Sequence, residues 1–200
     1  KYSSRELERQ ISTSLYERQN LTSTFRSPVV SELYPTANQV FKDKYIFDFL
    51  NLPDDHSEKD LQHGLVDQLK NFILELGRDF SFIEQEYRLQ VGSQDFYVDL
   101  LFYHRELQCL VAFELKVDKF KPEFMGQLDF YLEALDRDVK KDHENPTIGV
   151  LLCKDKDSEV VEYSLSRSLS PTLISQYETK LIPKKLLQQK LQELVLPEGN

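Results

Sequence analysis

Asp99 in the run FYVDLLFY, and Glu114 and Lys116 in LVAFELKV, have the types and spacing to do hydrolytic chemistry. All three are ionisable side chains set in apolar runs, where an unpaired charge is expensive to bury. Side chains alternate along a strand, so Glu114 and Lys116 share one face while Leu115 points to the other. A hairpin loop of Arg105 to Gln108 pairs His104 with Cys109. Continued along the strands, that register sets Asp99 opposite Glu114, with Cβ atoms roughly 5 Å apart. Two carboxylates that close repel unless a proton or a cation sits between them. Hard oxygen ligands favour magnesium or manganese, which keep bound waters and recruit phosphate oxygens. A lysine beside the bound water orients it and stabilises charge on the attacked phosphate. The chemistry these residues suit is phosphodiester hydrolysis.

The acidic-x-Lys string has little specificity by itself, since it recurs at Asp138-Val139-Lys140 and Glu178-Thr179-Lys180. Glu114 is set apart by its apolar strand, by the Asp one hairpin earlier, and by the helix that follows. The literal Pro53-Asp54 lies in a polar loop and is set aside. On pattern alone, a structural ion pair between Lys116 and one carboxylate, with the other at a solvated sheet edge, fits as well as a nuclease centre.

The elements that must position these residues follow from the pattern. Ser3 to about Asn20 reads as a helix, with a Ser3/Glu6 capping box and Leu7, Ile11 and Leu15 at four-residue spacing. Leu21 to Asn38 reads as a linker rich in Ser, Thr and Pro. Phe41 to Leu52, with Tyr45, Phe47 and Phe49, is expected as a short helix. A capped helix begins at Ser57, with Asp60 reciprocal, and stops at Gly77. Three strands follow at Phe80 to Val91, Phe96 to Tyr103 and Cys109 to Val117, joined by hairpin-length loops. Pro122 starts a helix carrying Met125, Leu128, Leu132 and Leu135. A strand over Thr147 to Cys153, a helix from about Ser158 to Leu165, a strand near Leu173 to Tyr177 and a terminal helix from Pro183 to Leu194 complete the chain. From Ser57 onward the order is α-β-β-β-α-β, which describes a mixed sheet flanked by helices.

Bulk properties narrow the function classes. A net charge of −9 argues against coating nucleic acid non-specifically, although it leaves room for a local basic patch. Cys109 and Cys153 are the only cysteines, and both sit in apolar runs, which fits buried thiols and a reducing cytoplasm. No apolar stretch reaches the roughly 18 residues of a membrane span, and no signal peptide opens the chain. The chain begins at Lys1 without a Met, as a processed product or a fragment would. His56, His63, His104 and His143 lack zinc-ligand spacing and read as surface or loop residues. No Gly-rich phosphate loop is present.

The segments FILELGRDFSFIEQEYRL, DFYVDLLFYHRELQCLVAFELK, FKPEFMGQLDFYLEAL and NPTIGVLLCKDKD resemble, in order, the C-terminal nuclease domain of the YhcG-like family within the PD-(D/E)XK superfamily. The resemblance covers about Tyr45 to Leu194. It implies an α/β, restriction-endonuclease-like core of order αβββαβ over residues 39–200. SSRELERQISTSLYERQNL resembles the tail of that family's N-terminal winged-helix-like domain, so residues 1–38 are expected to be such a tail plus linker.

By position, the resemblance makes Asp99 and Glu114 metal ligands, with the Leu115 carbonyl completing the protein's share, and Lys116 the catalytic lysine. Gln127 and Tyr131 match the family's Gln and Tyr on the helix after the third strand and are expected to position the substrate or the water. Gln127 is expected as a catalytic residue and Tyr131 as a nucleic-acid contact, although a core or rim tyrosine accounts for Tyr131 at least as well. The two share a helix face at i and i+4. Lys119, Lys121 and Arg88, with Lys154 and Lys156, are expected near phosphates, although a solvated charged face accounts for each of them too. Relatives often carry a Glu on the first core helix. Gln62 is the nearest match here, Glu58 a weaker candidate, and Asp60 serves the helix cap.

The expected function is a magnesium- or manganese-dependent nuclease acting on DNA in the cytoplasm, with a homodimer as the assembly to test. The competing class is a weak or inactive nuclease-fold module that binds nucleic acid or a partner. The acidic charge and Gln62 motivate it.

Overall fold

A computed structural model describes residues 25–53 and 55–180. The chain runs through β1 (Phe25–Arg26), α1 (Pro28–Leu33), α2 (Ala37–Val40), β2 (Lys44–Ile46), α3 (Glu58–Asp67), α4 (Leu69–Leu76), β3 (Phe80–Val91), β4 (Gln94–His104), β5 (Cys109–Lys119), α5 (Phe124–Asp138), β6 (Asn145–Asp155), α6 (Ser158–Leu165) and β7 (Thr172–Glu178). The expected helices at Ser3 to Asn20 and Pro183 to Leu194, and Asp54 of the Pro-Asp pair, lie outside the described residues.

The seven strands of the described residues form one sheet in the order β1-β7-β6-β5-β4-β3, with β2 also pairing β7. β3, β4 and β5 are an antiparallel meander, and β5, β6 and β7 are parallel. Parallel neighbours need a crossover, and α5 supplies it between β5 and β6. One sheet face packs Phe102, Phe113, Leu115 and Val150 against Val30, Leu61, Leu65 and Phe72 of α1, α3 and α4. The other packs Leu101, Ala112 and Leu151 against Leu128, Leu132, Val161 and Leu165 of α5 and α6. The expected mixed sheet with helices on both faces is the observed architecture.

The register expected for the second hairpin holds. His104 pairs Cys109, and the ladder continues to Leu100 and Phe113. The capping box at Ser57 is also present: Ser57 Oγ accepts from the Asp60 N–H at 3.1 Å, and Asp60 Oδ2 accepts from the Ser57 N–H at 2.9 Å. At Gln68 the expected single helix divides, because φ −105° and ψ 31° turn the chain between α3 and α4.

Three expectations change. Phe41 to Leu52 is not a helix: its Lys44–Ile46 segment is β2, which lies parallel to β7. Tyr45, Phe47 and Phe49 recur every second residue, which is strand spacing, and the Tyr45 and Phe47 rings stack in the core with centroids 6.1 Å apart. The stretch read as a linker is structured from Phe25 onward. Its Val30, Tyr34 and Ala37 are buried in the main core, and β1 pairs β7. Finally, His56 and His104 are buried rather than superficial. His56 Nδ1 lies 2.8 Å from the Pro53 carbonyl, and its Nε2 lies 3.2 Å from the Tyr177 hydroxyl. His104 Nδ1 accepts the Leu107 N–H at 3.1 Å and so closes the hairpin loop.

Candidate active site

Past the Leu100–Phe113 pair, β4 and β5 part company. Asp99 does not continue the ladder opposite Glu114. Its Oδ2 instead accepts the Leu115 N–H at 2.8 Å, standing in for the strand carbonyl that would otherwise pair there. In an extended strand the N–H and C=O of one residue point to the same side, so the Leu115 carbonyl also faces this gap. β5 stays in register with β6 at Glu114, Leu115 and Lys116, and is held from that side.

Glu114 and Lys116 project on the same face, as alternation requires. The Lys116 Nζ donates to Glu114 Oε1 at 2.9 Å and lies 3.6 Å from Glu58 Oε2. Glu114 is 2 % exposed, and its second oxygen, Oε2, is buried without a hydrogen-bond partner. The Phe124 ring lies 5.5 Å from the Lys116 Nζ and closes one flank. Burial holds the Asp99 carboxyl above its usual range, against the downward pull of the Leu115 N–H and Lys116. Burial, and then the charge of Asp99, push Glu114 up to about 7 against the pull of Lys116. Burial pulls Lys116 down, but Glu114, Glu58 and Asp99 outweigh it and leave the ammonium raised and charged.

The helices on either face complete the surroundings. The capping box fixes the start of α3, and so puts Glu58 and Gln62 at i and i+4 on the side facing the gap. Glu58 approaches Lys116, whereas the buried Gln62 donates from Nε2 to the Asp99 backbone carbonyl at 2.8 Å. Gln62 is thus a strand-holding residue, and Glu58 is the helix carboxylate at the site. That assignment reverses the expected order of the two. The Ser57 cap sets the phase of the helix and puts both residues on this face, but it does not tell them apart. From α5, Gln127 Nε2 donates to the Tyr131 hydroxyl at 2.8 Å. Burial raises the Tyr131 phenol; its Gln127 bond opposes this, and the charges of Glu114 and Asp99 add to it.

Arg88, Lys119, Lys121 and Lys156, expected near phosphates, each have an acidic partner, and the Lys121 Nζ lies 5.7 Å from the Phe124 ring that also flanks Lys116. Arg88 pairs with Asp95 at 2.8 Å, Lys119 with Asp157 at 3.8 Å, and Lys121 with Asp118 at 3.0 Å. Lys156 is buried, bonded to Asp43 and to the Ile174 carbonyl, so it is a core residue and not a phosphate ligand. Among the described residues, no group of three or more His, Cys, Asp or Glu side chains is gathered as a metal would require. Around the gap stand the carboxylates of Asp99, Glu114 and Glu58 and the Leu115 carbonyl.

A family model described as the YhcG PDDEXK nuclease domain matches residues 38–192. The chain belongs to this YhcG nuclease-domain family. A relative in Escherichia coli (strain K12), named "Putative nuclease YhcG", is 38% identical over 205 residues, covering 99% of this chain. The chain spans about half of that relative's length, 54%. Solved structures with a similar fold include a repair endonuclease from Pyrococcus abyssi, at 13% identity and TM-score 0.42, covering 64% of this chain and 49% of that one. An EndoMS–dsDNA complex matches at 20% identity and TM-score 0.40, covering 61% of this chain and 47% of that one. The α/β, restriction-endonuclease-like fold expected for the YhcG family is the fold of this chain, and no helix of the described residues is long and apolar enough to cross a membrane.

Proposed function

We propose that the chain is a metal-dependent nuclease that hydrolyses phosphodiester bonds in DNA, with Asp99, Glu114 and Lys116 as its centre. The observation that carries this reading is a buried Glu114 bonded to Lys116 beside the half-buried Asp99, with Glu114 Oε2 left without a partner. An orphaned buried acceptor beside a second carboxylate is a strong demand for a cation. The donor set is all oxygen, which suits magnesium or manganese, and waters would complete the shell. Asp99, Glu114 and the Leu115 carbonyl would hold the ion. When bound, it supplies charge neutralisation at the phosphate and a more acidic water.

The protein's own groups divide the remaining work. Lys116 stays protonated because three carboxylates surround it, so it donates hydrogen bonds and does not abstract a proton. Its Nζ, steered by Glu114 and Glu58, orients the attacking water and stabilises charge on the phosphate. Asp99 is fixed twice, through the Leu115 N–H at its carboxylate and through Gln62 at its carbonyl. Gln127 and Tyr131, bonded to each other, position the water or the scissile nucleotide from the α5 side. Arg88, Lys119 and Lys121 reach phosphates only by exchanging their carboxylate partners. The reading extends to a cytoplasmic protein that assembles as a homodimer when both strands are cut.

The test is cleavage of labelled DNA and RNA with magnesium or manganese, wild type against Lys116→Ala and Asp99→Asn. Both variants are expected to lose about 100-fold or more in rate. Equal cutting by Lys116→Ala, or no metal binding by calorimetry, rejects the centre. An inactive binding module is favoured instead if oligonucleotides bind and none is cut.

A further inference from the structure

Resting on the reading of Asp99, Glu114 and Lys116 as a nuclease centre, we propose that the open face of the β3–β4 ribbon receives an unpaired stretch of the substrate strand. Tyr97 stacks on one of its bases. The β4–β5 ladder ends at Leu100, but β3 and β4 stay paired as far as Val91 and Gln94. Beyond the site they therefore project as a two-stranded ribbon. One face of that ribbon is committed: Leu89 and Val98, with Tyr87, Val91 and Phe96, pack into the core shared with α5. The opposite face carries Arg88, Gln90, Asp95 and Tyr97, all exposed.

Tyr97 is the unusual member. It is 50 % exposed, although a ring of that size is normally covered or used. It stands two positions before Asp99, about 7 Å along the strand. It pairs in register with Arg88, which is tied to Asp95 at 2.8 Å and to Gln90 at 3.4 Å. Tyr97 thus stands beside a fixed Arg88–Asp95 pair, on the strand that leads back to the gap where β4 and β5 part.

Charge decides which nucleic acid suits this face. Gripping a duplex depends on cations that replace the counterions of its phosphates. Here Arg88, Lys119 and Lys121 each sit against a carboxylate, and the chain carries a net charge of −9. Stacking on an aromatic ring needs no net charge, but it does need a base whose face is uncovered. Bases inside a duplex are already stacked on their neighbours. An unpaired strand fits both observations, whereas a duplex fits neither.

The experiment uses an oligonucleotide carrying a fluorescent adenine analogue whose emission falls on stacking, offered as single-stranded DNA, as single-stranded RNA and as annealed duplex DNA. The full chain is expected to quench the single strands and to bind the duplex more weakly. Tyr97→Ala should abolish the quench and weaken single-strand binding roughly 5- to 10-fold, while Tyr97→Phe keeps both. Quenching of DNA and RNA alike assigns recognition to the base alone; quenching of DNA alone adds a sugar contact, and both outcomes support the face. An undiminished quench in Tyr97→Ala, or a duplex bound as tightly as the single strand, overturns it. Because this signal needs no turnover, stacking without any cleavage rejects the nuclease reading and leaves the face standing. Metal-dependent cleavage with a tight duplex complex rejects the face alone.

Discussion

A glutamate at position 62 would have no proton to give the Asp99 carbonyl. Gln62→Glu would therefore bury an unpaired carboxylate against a carbonyl oxygen, at a site that is 4 % exposed. Losing such a hydrogen bond while leaving its acceptor unsatisfied costs about 1–3 kcal/mol. The expected outcome is lower stability in urea titration with no gain in cleavage. If activity rises, position 62 is a vacated ligand site after all. Glu58→Gln removes charge beside Lys116 without disturbing a buried bond, so it is expected to weaken metal binding modestly and leave folding unchanged. At this scale much was legible. Asp99, Glu114 and Lys116 declared themselves as charges inside apolar strands. The exchange of roles between Glu58 and Gln62 was not legible, because it depends on how far a side chain reaches from a helix whose distance from the sheet no sequence spacing encodes.

The elements hold the site by close approach, and Gly149 on β6 marks the closest. A Cβ there would stand 3.0 Å from Leu128 Cγ and Cδ2 and from Leu132 Cδ1, all on α5. Gly149→Ala crowds the Leu128 and Leu132 side chains, which must give way on the α5 face, at a cost of about 1–3 kcal/mol. Because Gln127 and Tyr131 ride on the same helix, the expected result is a fall in cleavage rate together with a lower Tm, and Leu128→Ala in the same chain should restore part of both. Element types were legible where periodicity was long: β3, the two later strands of the meander, α5 and α6 all lie where the pattern put them. β2 was missed because only Lys44–Ile46 pairs, and the alternation of Tyr45, Phe47 and Phe49 around it was misread as an aromatic helix face. α1 was missed because a Pro, Ser and Thr-rich stretch looks like a loop until a buried Val30 anchors it.

At the scale of the whole molecule, the hairpin end of β4 carries a titration. Burial holds the His104 imidazole below its ordinary value of 6.5, against the upward pull of Asp79 and Glu106. The folded state thus favours the neutral ring, and the unfolded chain takes up its proton first. Stability from this residue is complete above about pH 6.5, declines as the pH falls below that value, and is fully lost once the folded-state pKa is passed. Tm measured against pH should show this acid limb, and His104→Gln should flatten it; an unchanged limb would assign it to other groups. Asp99 lies at the middle of β4, five residues before His104, and the site is not expected to share in this loss.

The contact between the Asp99 carboxylate and the Leu115 amide gives the molecule its own reporter. An amide proton bonded to a carboxylate resonates and exchanges according to how much negative charge that carboxylate offers it. Any cation drawn to Asp99 takes some of that charge away. A single backbone resonance at Leu115 should therefore shift on metal addition and lose protection in Asp99→Asn, giving a view of site occupancy in solution that requires neither substrate nor catalysis.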